Sequence, residues 1–256
     1  MDPTVSIVIP AYNASLQLPS VIDRFTKALW GRTRNVWIVN DGSTDGTGNI
    51  IESLARDNKT VHPVHFHENC GYGVAMRKGL AFCREDGCDY AASVHADGQY
   101  PPEAILHFVE TMTARGIDLM QGSRLASGTA LAGGMPLYKY VAGKVLTMLE
   151  NRAFRLRMSD YHSGFLVYSR KCLEALPFDS LSSSFDFDLE AIACACAQGL
   201  KISELPIPTR YADEKSYLNP VGYGLRVLKV LARYKAGYYH NVNGTASRAL
   251  NGVPEK

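Results

Sequence analysis

Nowhere in the 256 residues does an apolar run approach the length of about 20 that crosses a bilayer. The first residues also lack the basic, apolar and small-residue succession of a secretory leader, so the expected location is the cytoplasm. Six cysteines occur (Cys70, Cys83, Cys88, Cys172, Cys194 and Cys196), but no Cys-x-x-Cys pair is among them, which argues against a zinc knuckle or a redox dithiol. Reduced, mostly buried thiols are the expectation. A large charge of one sign is also missing. With 27 Lys and Arg against 25 Asp and Glu the net charge is only +2, which excludes a strongly basic nucleic-acid binder, and no nucleic-acid partner is expected. The glycosylation-type triplets at Asn13, Asn58 and Asn243 are read as chance matches in a chain without a leader.

What is present is a regular alternation. Val5 to Ile9 is a β-branched run closed by Pro10, and apolar residues then recur at helical spacing over 18–29. Strands are expected at 36–39, 61–66 and 90–94, with helices near 47–55 and 74–84 between them, which predicts a parallel sheet with right-handed crossovers. Further on, helices are expected at 102–115, 137–155, 170–175 and 187–197, strands at 118–122, 164–169 and 201–206, and a glycine-rich loop at 127–134. Ligands of such sheets bind beyond the carboxyl ends of the strands, where Tyr12, Asp41, Gly71 and Asp97 fall. One catalytic domain is expected over 1–218, followed at 219–256 by an amphipathic helix and a flexible tail.

The most informative stretch is His95-Ala96-Asp97-Gly98-Gln99-Tyr100-Pro101-Pro102. Strand alternation puts His95 and Asp97 on one side of a strand end, and the glycine and prolines stop further pairing, so the edge is suited to a cation. His62, His65 and His67 are spaced like ligands as well, but neighbours of opposite parity face opposite sides of a strand, and no metal is expected there. The run Asn40-Asp41-Gly42-Ser43-Thr44-Asp45 is, on its own, a turn and helix cap.

Taken together these segments resemble family 2 glycosyltransferases, in particular the polyprenyl- and dolichyl-phosphate mannose and glucose synthases. His95-Ala96-Asp97-Gly98-Gln99 is similar to their Asp-Ala-Asp-x-Gln, with His in place of the first Asp. Ile9-Pro10-Ala11-Tyr12-Asn13 and Val39 to Asp45 are similar to the two nucleotide turns, with Asn40 before Asp41 and Ala14 where Glu is common. Asn69 to Gly79 looks like the glycine turn with a basic residue, Lys78, inside its helix. Gly122-Ser123-Arg124, Asp160-Tyr161-His162-Ser163-Gly164-Phe165, Phe187-Asp188-Leu189-Glu190 and the basic loop with Arg210 and Lys215 follow in the family's order.

The resemblance implies an α/β fold of the glycosyltransferase A type, a single Rossmann-like domain with a mostly parallel central sheet flanked by helices. It implies a nucleotide-sugar donor held by Pro10, Tyr12, Asn13, Asp41, Gly71, Lys78, Ala96 and Asp97, and Mn2+ or Mg2+ at His95, Asp97 and Gln99. Asp97, Arg124, Asp188, Glu190, Arg210 and Lys215 would carry the chemistry, an inverting transfer from a UDP- or GDP-sugar to a polyprenyl phosphate. Two alternatives remain open at this point. A hydroxyl acceptor would need a base, for which Asp188 or Glu190 is the candidate, and His95 in the place of Asp admits a nucleotide-sugar-binding pseudoenzyme. A helix over 221–238 with Arg226, Lys229 and Arg233 on one stripe and leucines and tyrosines opposite suggests peripheral contact with an anionic membrane at the cytoplasmic face. The basic residues Lys139, Lys144, Arg152, Arg155 and Arg157 point the same way.

Overall fold

The computed structural model describes residues 2–126, 128, 136–208 and 220–242. The apolar run near the start becomes β1 (Val5–Ala11), flanked by β2 (Thr33–Asn40) and β4 (Tyr90–Ser93), with β3 (Val61–His65) beyond β2. All these pairings are parallel, as the alternation predicts. The described residues form a seven-stranded sheet in the order β3-β2-β1-β4-β6-β5-β7, completed by β5 (Leu119–Ser123), β6 (Leu166–Ser169) and β7 (Ile202–Pro206). Strand β6 is the exception to parallel order. It lies antiparallel between β4 and β5, while β5 and β7 run parallel to each other. The reversal matters for function, because it brings the segment that precedes β6 to the edge where β4 and β5 end.

Successive strand residues serve opposite faces. Val8, Ala91, Leu119, Leu166 and Tyr168 pack under α4 (Tyr72–Asp86), α7 (Arg170–Ala175) and α8 (Phe187–Ala197). Ile7, Ile9, Ala92, Met120 and Val167 pack under α1 (Leu18–Asp23), α2 (Lys27–Arg32), α3 (Thr47–Asp57) and α5 (Ile105–Arg115). The single helix expected over 18–29 is two helices. Thr26 starts the second by accepting a hydrogen bond from the Leu29 N–H, and a threonine cap of this kind stops the first helix from continuing.

Helix α8 is buried on all sides from Phe187 to Ala195. The sheet covers one face, and α9 (Pro220–Lys235) with the short α10 (Tyr238–Asn241) packs against it, bringing Val227, Val230, Leu231 and Tyr239 into the same core. The expected amphipathic helix is therefore docked. Leu231 faces inward while Leu225 and Leu228 face out, and Arg226 and Arg233 pair with Asp186 (3.2 Å) and Glu190 (3.0 Å) rather than forming a free basic stripe. Helix α6 (Leu137–Phe154) packs beside α9. No described helix is long and apolar enough to cross a membrane.

Candidate active site

Pro10 is tolerated within β1 because the Val8 carbonyl, two residues back, faces β4, where it accepts from the Val94 N–H; the missing donor at Pro10 faces the same way, past the end of β4. The strand then releases Tyr12 and Asn13 at its end, both exposed. Asn13 adopts φ 50° and its Oδ1 accepts from the Thr44 N–H at 2.9 Å, which ties the β1 turn to the β2 turn. Asp41 is nearly buried beside them. Its Oδ1 accepts from the Cys70 N–H (2.7 Å) and its Oδ2 from the Gly71 N–H (3.0 Å). Gly71 has φ 100° and sits so close to the Ser183 carbonyl that a side chain there would meet that oxygen at 2.6 Å. Thus Asp41 organises the glycine turn. Lys78 lies further along α4, exposed, with Nζ 4.7 Å from the Phe82 ring.

At the end of β4, Val94 and Ala96 enter the core, and the alternation leaves His95 and Asp97 on the other side. Ala96 offers a ligand only its backbone. Asp97 Oδ1 accepts from the Gln99 N–H at 2.9 Å, and the Arg24 guanidinium braces the turn by donating to the Gly98 carbonyl at 2.8 Å. The His95 ring stands edge-on to Tyr100 with centroids 4.8 Å apart. Its Nε2 is 3.0 Å from the Tyr72 hydroxyl, which donates to Asp188 Oδ2 at 2.8 Å. Burial lowers the His95 pKa, which favours the neutral imidazole.

The reversed β6 supplies the opposite wall. Gly164 lies directly against His95, and a Cβ at 164 would overlap the imidazole. Its N–H donates to Tyr100 Oη (2.9 Å) and its carbonyl accepts from the Ser93 hydroxyl (2.6 Å). This gives the Ser-Gly-Phe motif a physical reason, since only glycine leaves room for the ring. Arg124, just past β5, donates to the His162 carbonyl (2.8 Å), and its Nε lies 3.6 Å from Asp160 Oδ2.

The two acids of the Phe-Asp-x-Glu segment take different places. Asp188 sits behind Tyr72 with Oδ1 buried and without a partner, and burial pushes its pKa up to about 7 against the Tyr72 hydrogen bond. Glu190 points to the C-terminal helices, accepting from the Ser182 N–H (2.6 Å), Arg233 (3.0 Å) and Tyr239 Oη (2.7 Å). Arg210 and Lys215, and most of the glycine-rich loop at 127–134, lie outside the described residues.

The model of the family named "Glycosyl transferase family 2" matches residues 6–176. The chain belongs to that family. Among its relatives, the polyprenol monophosphomannose synthase of Mycolicibacterium smegmatis is 28% identical over 203 residues, covering 78% of this chain and 75% of that one. The UDP-N-acetylglucosamine–dolichyl-phosphate N-acetylglucosaminyltransferase of Methanococcus voltae is 27% identical over 224 residues, covering 83% and 88%. A glucosyl-3-phosphoglycerate synthase from Mycobacterium tuberculosis, solved with Mn2+, UDP-glucose and phosphoglyceric acid, superposes with a TM-score of 0.68 at 20% identity, covering 91% of this chain and 80% of that one. The fold is thereby the glycosyltransferase A type.

In this family 2 glycosyltransferase, a divalent ion would find an imidazole at 95, a carboxylate at 97 and an amide at 99, and no cluster of three His, Cys, Asp or Glu exists among the described residues. Three protein donors with positions left for diphosphate oxygens suit Mn2+ or Mg2+, which keep positions for phosphate and water. The donor set fits. Sequence reasoning passed over Tyr72, Tyr100 and Arg24, which brace the site. Tyr72 and Tyr100 lie inside motifs already singled out, but nothing in the sequence indicates which side chains meet across strands, and Arg24 carries no local signal at all.

Proposed function

We propose that this glycosyltransferase moves a sugar, with inversion, from a UDP- or GDP-sugar to the phosphate of a membrane polyprenol, with Mn2+ or Mg2+ at His95, Asp97 and Gln99. Tyr12 stacks on the base, Asp41 and the Asn13 turn hold the nucleoside end, and the Gly71 turn approaches the phosphates. The ion supplies neutralisation of the charge that develops on the departing diphosphate. Arg124 adds a guanidinium fork for phosphate, and Arg210 and Lys215 are assigned to the same anions.

The observation that carries the choice of acceptor is the state of the acids. Asp97 is assigned to the divalent ion, while Asp160, Asp188, Glu150 and Glu190 are all buried, and Asp188 presents neither oxygen to an incoming ligand. A hydroxyl acceptor needs a base that takes its proton, whereas a phosphate monoester, with a second pKa of about 6, arrives already ionised. The polyprenol- and dolichyl-phosphate enzymes among the relatives support the same acceptor. A second reading, transfer to a hydroxyl, draws on the Asp188 pKa near 7, a value suited to a general base, but that acid reaches the site only through Tyr72 and His95.

A lipid acceptor places the enzyme at a membrane surface, and the surface suited to it is on α6. Leu137, Tyr138, Val141, Val145 and Met148 are exposed there, within roughly a third of the circumference at ~100° per residue. Lys144, Arg152, Arg155 and Arg157 are exposed on or just after the same helix and would draw it to anionic lipid.

Isothermal calorimetry with UDP- and GDP-sugars, with and without Mn2+, tests the donor site. Affinity is expected to depend on the ion in the wild type and to lose that dependence in Asp97→Ala; an equal ion effect in both would remove Asp97 from the metal site.

A further inference from the structure

His95, Tyr72 and Asp188 form a chain of hydrogen bonds with a fixed direction. The Tyr72 hydroxyl has one proton, and it is donated to Asp188 Oδ2 at 2.8 Å. With Asp188 ionised, Oδ2 has no proton to give and can only accept, which fixes the direction of the Tyr72 proton. With its proton committed, the hydroxyl can only accept from the His95 Nε2 that stands 3.0 Å away. A neutral imidazole that donates from Nε2 has its lone pair on Nδ1.

We propose that Tyr72, anchored by Asp188, is a positioning residue that holds His95 in the Nε2–H tautomer and so makes Nδ1 the atom His95 offers to the divalent ion. The inference rests on the reading of His95 as a metal-site residue and names the atom and the device that prepares it. Metal-binding histidines generally donate their second ring N–H to a fixed acceptor, which sets both tautomer and orientation. Here the acceptor is a phenol backed by a carboxylate. The surroundings leave the ring little freedom, because Tyr100 stands edge-on to it at 4.8 Å and Gly164 is packed against its Nε2 side. Tyr72 is itself stacked on Phe185, with centroids 5.7 Å apart and planes 16° from parallel, and Gly73 in the following position donates its N–H to the Ser183 carbonyl. The device therefore spans three elements: the β4 end, the first turn of α4 and the start of α8.

The test is long-range 1H–15N correlation of histidine-labelled protein, for wild type, Tyr72→Phe and the assignment control His95→Gln. The wild type is expected to show His95 as one tautomer with the proton on Nε2. Tyr72→Phe keeps the ring and its stacking but not the acceptor, so the His95 signal should become a mixture of both tautomers. If the competent fraction falls to about a half, Mn2+ binding to the folded variant weakens by about 2-fold, since apparent affinity scales with that fraction. Circular dichroism and melting confirm that the variant is folded, and where Tyr72→Phe does not fold, Asp188→Ala serves, since it frees the Tyr72 proton to turn toward Nε2. A wild-type proton on Nδ1, or a tautomer unchanged in a folded variant, would overturn the proposal. Mg2+ addition separates it from the reading beneath it. A shift at Nδ1 supports both, whereas an Nε2–H tautomer whose Nδ1 ignores Mg2+ overturns His95 as a ligand and leaves the tautomer control by Tyr72 standing.

Discussion

Both oxygens of Asp41 are engaged by the Cys70 and Gly71 amides in the protein alone, so replacing it does more than remove a contact to a nucleobase. Two N–H groups of this part-buried turn lose their acceptor, at a cost of at most about 1–3 kcal/mol for each group left unpaired. Asp41→Ala is therefore expected to lower the denaturation midpoint and also to weaken nucleotide binding by about 10-fold or more, on the scale of 1.4 kcal/mol per decade. Chemical denaturation and calorimetry on the same preparation check both, and normal stability with lost affinity would show that the turn does not depend on this carboxylate. The strand-end positions of Asp41, His95 and Asp97 were readable in the sequence because period-2 alternation and Gly-Pro punctuation fix which side chains leave the sheet. The fates of Asp188 and Glu190 were not. Two residues apart on a helix, they diverge to Tyr72 on one side and to Arg233 and Tyr239 on the other, partners from segments remote in sequence.

Helix α6 places Glu150 in the interior, 3.4 Å from His162 Nε2, with both carboxylate oxygens buried and Asp160 nearby. Burial first, and then the negative charge of Asp160, push its pKa up to about 9. His162, whose Nδ1 meets the Tyr223 hydroxyl at 3.1 Å, has its pKa lowered by burial. A carboxyl whose pKa is raised on folding binds its proton more tightly in the native state, so its contribution to stability is complete below its unfolded pKa and is lost as pH rises toward 9. Each pH unit in that interval is worth up to about 1.4 kcal/mol, or about 3–6 °C in Tm for a domain of this size. Melting curves from pH 5 to 9 should fall more steeply for the wild type than for Glu150→Gln; parallel curves would show that Glu150 ionises freely. At this scale the sequence specified most element positions through apolar periodicity. It did not specify the direction of β6, since the buried run at 164–169 reads the same in either orientation, and it hid the break before Lys27 because the apolar spacing continues across the Thr26 cap.

Across the molecule, the sheet gathers at one edge the ends of β1, β2, β4 and β5 and the start of β6, so segments from Tyr12 to Phe165 meet although they are spread over most of the chain. We propose α6 rather than α9 as the membrane contact, a choice supported by the pairing of two of the three basic residues of the α9 stripe within the fold. Flotation with anionic vesicles should then depend on α6. Val141→Glu/Val145→Glu is expected to abolish it, and Lys229→Glu to change it little; the reverse result would return the contact to α9. The central claim is that the acceptor brings its own ionised nucleophile, and its most direct test is a transfer assay comparing a polyprenyl phosphate with the same polyprenol lacking phosphate, each with Mn2+ and a panel of UDP- and GDP-sugars. Sugar transfer to the phosphorylated lipid alone is the predicted result, whereas transfer to the free alcohol or to a soluble glycan, with the phosphorylated lipid inert, would contradict it.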